Sequence, residues 1–113
     1  MNIKIIRSRE SAERKISDSY SVLNLLTAEE SNRVSIAVGI ANDHVETTKT
    51  TSDRAYYILK GELIVDGESV AETGDVVFIP ADTEYRFEGT FTAVLVNSPP
   101  FRKENELTSG EEK

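Results

Sequence analysis

The sequence predicts a single all-β domain, an antiparallel sandwich or barrel, on three observations. Large and small side chains alternate with a period of two from Val34 to Ala41, the pattern of a half-buried strand. Short apolar runs then follow one another to Val96, parted by turn signals roughly every 8 to 12 residues, as in sandwiches and barrels. A chain of 113 residues leaves room for one hydrophobic core and no second.

Taken in order, Ile3 to Ile6 and Tyr20 to Leu26 are strand candidates, joined by the polar stretch Arg7 to Ser19, in which Ser11 to Ile16 could make a helical turn. In the next strand Val34, Ile36, Val38 and Ile40 share one face, and Ser35, Ala37, Gly39 and Ala41 the other. Ala55 to Leu59 and Glu62 to Asp66 are short runs parted at Lys60-Gly61, where the glycine permits a bend or bulge. Asp66-Gly67 predicts a hairpin, because a tight primed turn needs positive φ and this dipeptide accepts it cheaply. Val70 to Glu72, Val76 to Ile79, Glu84 to Phe87 and Phe91 to Val96 complete the series, punctuated by Thr73-Gly74-Asp75, Pro80-Ala81-Asp82 and Glu88-Gly89-Thr90. The expected organisation is an N-terminal segment, 1–33, packing on a barrel over 34–101. An acidic tail, 102–113, follows; with almost no apolar residues to repay its ordering entropy, it is expected to be disordered.

Composition narrows the function. Twenty acidic against thirteen basic residues give a net charge of -7, which repels the phosphate backbone of DNA or RNA. No apolar run approaches the roughly 18 residues of a membrane span, and the N-terminus lacks a signal peptide's apolar core, so a cytoplasmic protein with no membrane or nucleic-acid partner is expected. The absence of cysteine excludes disulfides, thiol catalysis and thiolate zinc sites. His44 is the lone histidine, so no mechanism can take two from one chain. No P-loop, dinucleotide fingerprint, zinc-protease helix or nucleophile elbow is present.

The stretch Arg54-Ala-Tyr-Tyr-Ile-Leu-Lys-Gly61-Glu62-Leu63, then Asp66-Gly67, then Gly74-Asp-Val-Val-Phe-Ile-Pro80 resembles the cupin superfamily, small jelly-roll barrels. The resemblance spans Val34 to Phe101 and rests on the spacing of Gly61, Gly74 and Pro80; it implies an antiparallel jelly-roll barrel. The usual metal ligands of the family are replaced. Arg54 stands at the glutamate position, Thr48 and Thr50 (or Thr47 and Lys49) at the two histidines of the first motif, Tyr85 at the histidine of the second; Asp82 and Gly89 replace a further glycine and asparagine. Metals in such cups need imidazoles and a carboxylate, and a guanidinium among the ligands repels the ion. No metal and no cofactor are therefore expected. A shifted alignment, with His44-x-Glu46 in place of the His-x-His pair, leaves a weak atypical metal site as one alternative.

Alternate residues of a strand face the same way. If the strand from Val34 continues without a bulge, Ile36, Val38, Ile40, Asn42, His44 and Glu46 point inward, as do Arg54, Tyr56 and Ile58 on the next strand and Tyr85 with Phe87 on another. The predicted ligand-binding cup is therefore Arg54, Tyr85, Tyr56, His44 and Glu46 over an aliphatic floor, suited to a small organic anion. Each residue has a plainer role open to it: Arg54 pairing with Glu46, the tyrosines as core aromatics, His44 as an exposed or capping residue.

Three functions are compatible with this cup: a metal-free cupin binding a small anionic metabolite as sensor, carrier or accessory subunit; a cofactor-free isomerase or epimerase using His44 or Tyr85; and a structural module. Small cupins pair into dimers, and the resemblance implies a homodimer, with the strands near the N-terminus offering an edge.

Overall fold

A computed structural model describes residues 3–112, with residues 105–112 described by their backbone alone. Eight strands follow in order: β1 (Glu13–Lys15), β2 (Tyr20–Leu26), β3 (Ser35–Thr50), β4 (Asp53–Val65), β5 (Ser69–Glu72), β6 (Val76–Ile79), β7 (Tyr85–Ser98) and β8 (Glu106–Glu112). All described pairings are antiparallel. The fold is the all-β antiparallel barrel that the sequence predicts. No helix among the described residues is long and apolar enough to cross a membrane.

Three long strands, β3, β7 and β4, lie side by side and each kinks once. The kinks fall at Asp43 (φ 50), Gly89 (φ 131) and Gly61 (φ 83), close together across the ladder, since His44 and Leu63 both pair with Gly89. They divide the sheet into two halves folded on one another. One half runs β1-β2-β3-β7-β4-β6, the other β8-β3-β7-β4-β5. At the corner β4 and β7 approach so closely that a Cβ on Gly61 would overlap the carbonyl oxygen of Thr90, and one on Gly89 that of Glu62. Only glycine meets both the positive φ and this contact. Asp43 holds its left-handed conformation with its N–H donated to Thr90 Oγ1 at 2.9 Å.

The kink at Asp43 reverses which face of β3 is inside. Before it, Ser35, Gly39 and Ala41 are buried and Ile40 is exposed; after it, His44, Thr48 and Thr50 are buried. Of the inward stripe Ile36, Val38, Ile40 and Asn42 expected for an unbroken strand, Ile36 borders the cavity described below, but Ile40 and Asn42 are exposed: the register slips between Ala41 and His44, and a one-residue slip exchanges the faces. Small residues face inward in the first half because Tyr20 packs over Gly39, whose hydrogen leaves the space that ring needs. The core gathers Ile58, Leu63, Phe87, Phe91 and Ala93 from β4 and β7, and fully burying one large apolar side chain contributes about 1.5–3 kcal/mol.

Other expectations also change. Ile3 to Ile6 form no strand, and Ser11 to Ile16 contain β1 rather than a helical turn; the one turn nearby is a 3-10 turn at Ser8–Glu10. The paired runs 55–59 and 62–66, and 84–87 and 91–96, are single strands, because pairing with their neighbours carries on beyond each glycine kink. After Arg102 a 3-10 turn, Lys103–Asn105, leads into β8, which pairs with β3 from Val45 to Thr50. Backbone hydrogen bonds to an edge strand need no apolar side chains.

Candidate functional site

The two halves enclose a cavity of about 470 Å³, walled by inward side chains of β2, β3, β4 and β7, among them Tyr20, Glu46, Arg54, Tyr56, Phe87 and Asn97. Its apolar lining joins aliphatic side chains, Val22, Leu26 and Leu95, to the aromatic Tyr20, Tyr56 and Phe87; behind it Phe87 lies 5.9–6.2 Å from the rings of Tyr20, Tyr56, Tyr85 and Phe91, and 5.5 Å from His44. Arg14, Lys15 and Lys103 also line the cavity; all three are exposed and form its rim.

Arg54 is 5% exposed and anchored from two sides. Its Nε donates to Asn97 Oδ1 at 2.8 Å and its Nη1 to the Tyr85 hydroxyl at 3.1 Å, while the Tyr85 and Tyr56 hydroxyls share a hydrogen bond. A guanidinium held in this way keeps its planar fork oriented, as carboxylate or phosphate recognition requires. Burial pushes the Tyr56 pKa well above the ordinary tyrosine value; the neighbouring Tyr85 adds to the shift and Arg54 opposes it. Tyr56 therefore stays a neutral hydroxyl at neutral pH.

The second network centres on His44, fully buried and stacked on Tyr20 at 4.8 Å. Its Nε2 meets Glu46 Oε1 at 2.8 Å and its Nδ1 meets Ser19 Oγ at 2.7 Å. A carboxylate accepts, so the proton on Nε2 points toward Glu46. The imidazole orients Glu46, which faces the cavity.

Of the five sequence-predicted residues, Glu46, Arg54 and Tyr56 line the cavity. Tyr85 and His44 are buried behind that wall, touching it through Arg54 and Tyr56 in one case and Glu46 in the other. An exposed or capping His44 is ruled out by its burial, which follows from the kink at Asp43. Sequence reasoning missed Ser19, Tyr20, Asn97 and the basic rim. Asn97 was within reach: it is the polar end of the stripe Phe91, Ala93, Leu95, Asn97 on one face of β7. The rim residues come from β1 and the turn before β8, elements that composition did not reveal.

The described residues do not offer the imidazole-rich ligand set of a metal cup. Among the described residues no cluster of three or more His, Cys, Asp or Glu side chains could hold an ion. Both nitrogens of His44 are engaged, so ligation would cost one of its hydrogen bonds.

Solved structures of the same shape share little sequence. A histidine-to-glutamine variant of Streptomyces PAC13 with uridine superposes with a TM-score of 0.82 at 14% identity, covering 99% of this chain and 95% of that one. PAC13 is described as a nucleoside dehydratase. Oxalate decarboxylase from Bacillus subtilis gives 0.81 at 12% identity over 96% of this chain, which spans 33% of that larger protein. The polyketide cyclase RemF from Streptomyces resistomycificus gives 0.71 at 14%, with 92% and 89% covered. No curated protein matches the sequence significantly. The sequence itself matches the model of the ethanolamine utilisation protein EutQ over residues 1–97, from the N-terminus nearly to the end of β7, and the chain belongs to the EutQ family, a family of cupins.

Proposed function

We propose that the protein binds a small organic anion in its cup without a metal. One observation carries this reading: among the described residues the charged side chains lining the cavity are Arg14, Lys15, Arg54 and Lys103 against Glu46, in a chain whose net charge is -7. The site is a positive pocket in a negative protein, and such a field draws anions toward the cup. Arg54 presents a fixed guanidinium at the wall, Tyr56 a neutral hydroxyl, and the aromatic ring cluster an apolar face. Lys15 is partly neutralised at the rim by Asp18, 3.2 Å away, a solvent-exposed pair of small consequence. Ethanolamine, after which the family is named, is a cation at neutral pH and does not suit this lining. Anionic metabolites do.

A second reading is favoured by the His44–Glu46 hydrogen bond. A carboxylate that faces a bound ligand and is backed by an imidazole can take up and return a proton, the arrangement a cofactor-free isomerase or lyase needs. It is compatible with the first, since the proton would move on a ligand held by Arg54. PAC13, with a histidine variant and two tyrosine variants solved with uridine, is a nucleoside dehydratase of the same fold.

A thermal-shift screen of small carboxylates and sugar phosphates, with ethanolamine as a cationic control, tests the proposal. Ligand at a hundred times its dissociation constant stabilises by about 2.7 kcal/mol, several degrees for a domain of this size. Hits are expected among anions only, to vanish in Arg54→Met, and to weaken in Arg14→Glu and Lys103→Glu, whose exposed side chains leave the fold intact. Equal shifts in all these variants, or shifts with ethanolamine alone, would overturn the proposal.

A further inference from the structure

We propose that Ser35 and Asn97 decide which anion the cup takes: beside Arg54, they read a carbonyl oxygen next to the carboxylate, so the ligand is a short 2-oxo carboxylate. The inference rests on the anion-binding reading of the same cup and narrows it. Asn97 on β7 is the ladder partner of Ser35 on β3 and of Arg54 on β4. The three side chains therefore share one rung of the half-sheet β1-β2-β3-β7-β4-β6. They are 6%, 3% and 5% exposed in the order Ser35, Asn97, Arg54, and all three line the cavity.

What each group already does sets the chemistry of the rung. A guanidinium only donates, so the atom of Asn97 that meets Arg54 Nε at 2.8 Å is the carbonyl oxygen, and the amide orientation follows from its partner. Both N–H groups of Asn97 Nδ2 are then left without an acceptor among the described residues. Ser35 Oγ accepts the Phe101 N–H at 2.7 Å, and its own hydrogen likewise meets no acceptor among the described residues. Arg54 donates from Nε and Nη1. The rung is a row of donors. Buried polar groups that have given up water are rarely left unmet in native proteins, because the loss is costly. Donors kept in a wall that faces a cavity are matched by what enters it.

The shape of the row selects the occupant. Neighbouring strands lie about 4.8 Å apart, so a tetrahedral phosphate, with its oxygens gathered about one atom, suits the fork of Arg54 but not the length of the row. A flat edge of acceptors suits both: a carboxylate on the guanidinium, and on the adjacent carbon a carbonyl oxygen for Asn97 and Ser35. A 2-hydroxy acid brings a hydrogen of its own to that place, where it faces other donors. Leu95, the preceding residue on the same face of β7, also lines the cavity and offers apolar surface to the carbon chain.

Titration of the full chain with pyruvate, lactate, acetate and inorganic phosphate, followed by amide NMR, tests this. Pyruvate is expected to bind at least tenfold more tightly than acetate, which leaves the Asn97 and Ser35 donors unpaired, and severalfold more tightly than lactate or phosphate. Ser35→Ala removes one donor without touching Arg54, so the pyruvate-to-acetate ratio should fall at least threefold while acetate binding stays as it is; a loss of structure alone would weaken both equally. Ser35→Cys, which keeps the size of the side chain and weakens its donor, should act in the same direction if the alanine variant does not fold. Asn97→Ala also loosens Arg54 and should weaken both ligands, pyruvate the more. Pyruvate bound no better than acetate, lactate or phosphate, or a ratio unchanged in the Ser35 and Asn97 variants, overturns this inference and leaves the anion reading standing. Binding of none of the four overturns both.

Discussion

Arg54 on β4 and Asn97 on β7 stand directly opposite each other in the ladder, and Arg54 Nε donates to Asn97 Oδ1 at 2.8 Å. The amide is a neutral acceptor, so it fixes the guanidinium without cancelling its charge. Replacing it by Asp adds a carboxylate that competes with a bound anion. Asn97→Asp is expected to keep the fold and to weaken anion binding at least tenfold, about 1.4 kcal/mol, as read by calorimetry. Asn97→Leu leaves a buried charged donor unmatched and should lower unfolding free energy by about 1–3 kcal/mol.

Glu46 is the one acidic side chain among the described residues lining the cavity. Glu46→Gln keeps an acceptor for His44 and removes the negative charge, so anion affinity should rise several-fold while any proton exchange with the ligand is lost. Titration of the variant, with solvent-deuterium exchange into the ligand followed by NMR, reads both.

His44→Ala removes a fully buried ring from between Ser19, Tyr20 and Glu46. The cavity and the abandoned partners should cost about 2–4 kcal/mol in urea unfolding, more than the loss of a surface histidine, which is usually within about 0.5 kcal/mol.

The raised pKa of Tyr56 makes stability depend on alkali. The folded chain holds that proton more tightly than the unfolded chain, whose tyrosine ionises near pH 10. The contribution is therefore complete below about pH 10 and is lost as pH rises from there toward the folded value. Urea unfolding at rising pH should show this loss in the wild type, and Tyr56→Phe should show a shallower one. Tyrosinate absorbance should show Tyr56 silent until the chain unfolds.

Two glycines of positive φ should respond very differently to alanine. At Gly67 nothing lies within 4 Å of a new Cβ, so Gly67→Ala pays only for its left-handed backbone, about 1–2 kcal/mol. Gly61→Ala must also push against the main chain of β7 and is expected to leave no folded protein at 37 °C, as judged by soluble yield and circular dichroism.

Much of this was legible in the sequence because the signals were local. Asp66-Gly67 announces its hairpin, and both residues adopt positive φ. The period-two runs announce strands, and the spacing of Gly61, Gly74 and Pro80 carries the family. Strand continuity was not legible. Lys60-Gly61 and Glu88-Gly89-Thr90 read as interruptions, yet they are corners through which one strand passes, since whether a glycine ends a strand or bends it depends on the strand beside it. Asp43 gave only a weak signal: Asn42-Asp43 is a pair that tolerates turns and the left-handed region, but nothing local says that it turns His44 inward and Ile40 outward. The His44–Glu46 bond, and the stacking on Tyr20 from 24 residues upstream, depend on that slip.

Because β3, β4 and β7 each belong to both halves, neither layer can melt alone. Pulling β7 from one half draws the same strand out of the other. Its pairing with β3 joins Ser35 to Asn97 across most of the chain, so little of either layer is complete until distant segments have met. Chains of this connectivity assemble in milliseconds to seconds rather than microseconds, and they come apart as one cooperative unit. The walls of the cup consequently share the stability of the whole molecule, and the site is as rigid as the fold itself.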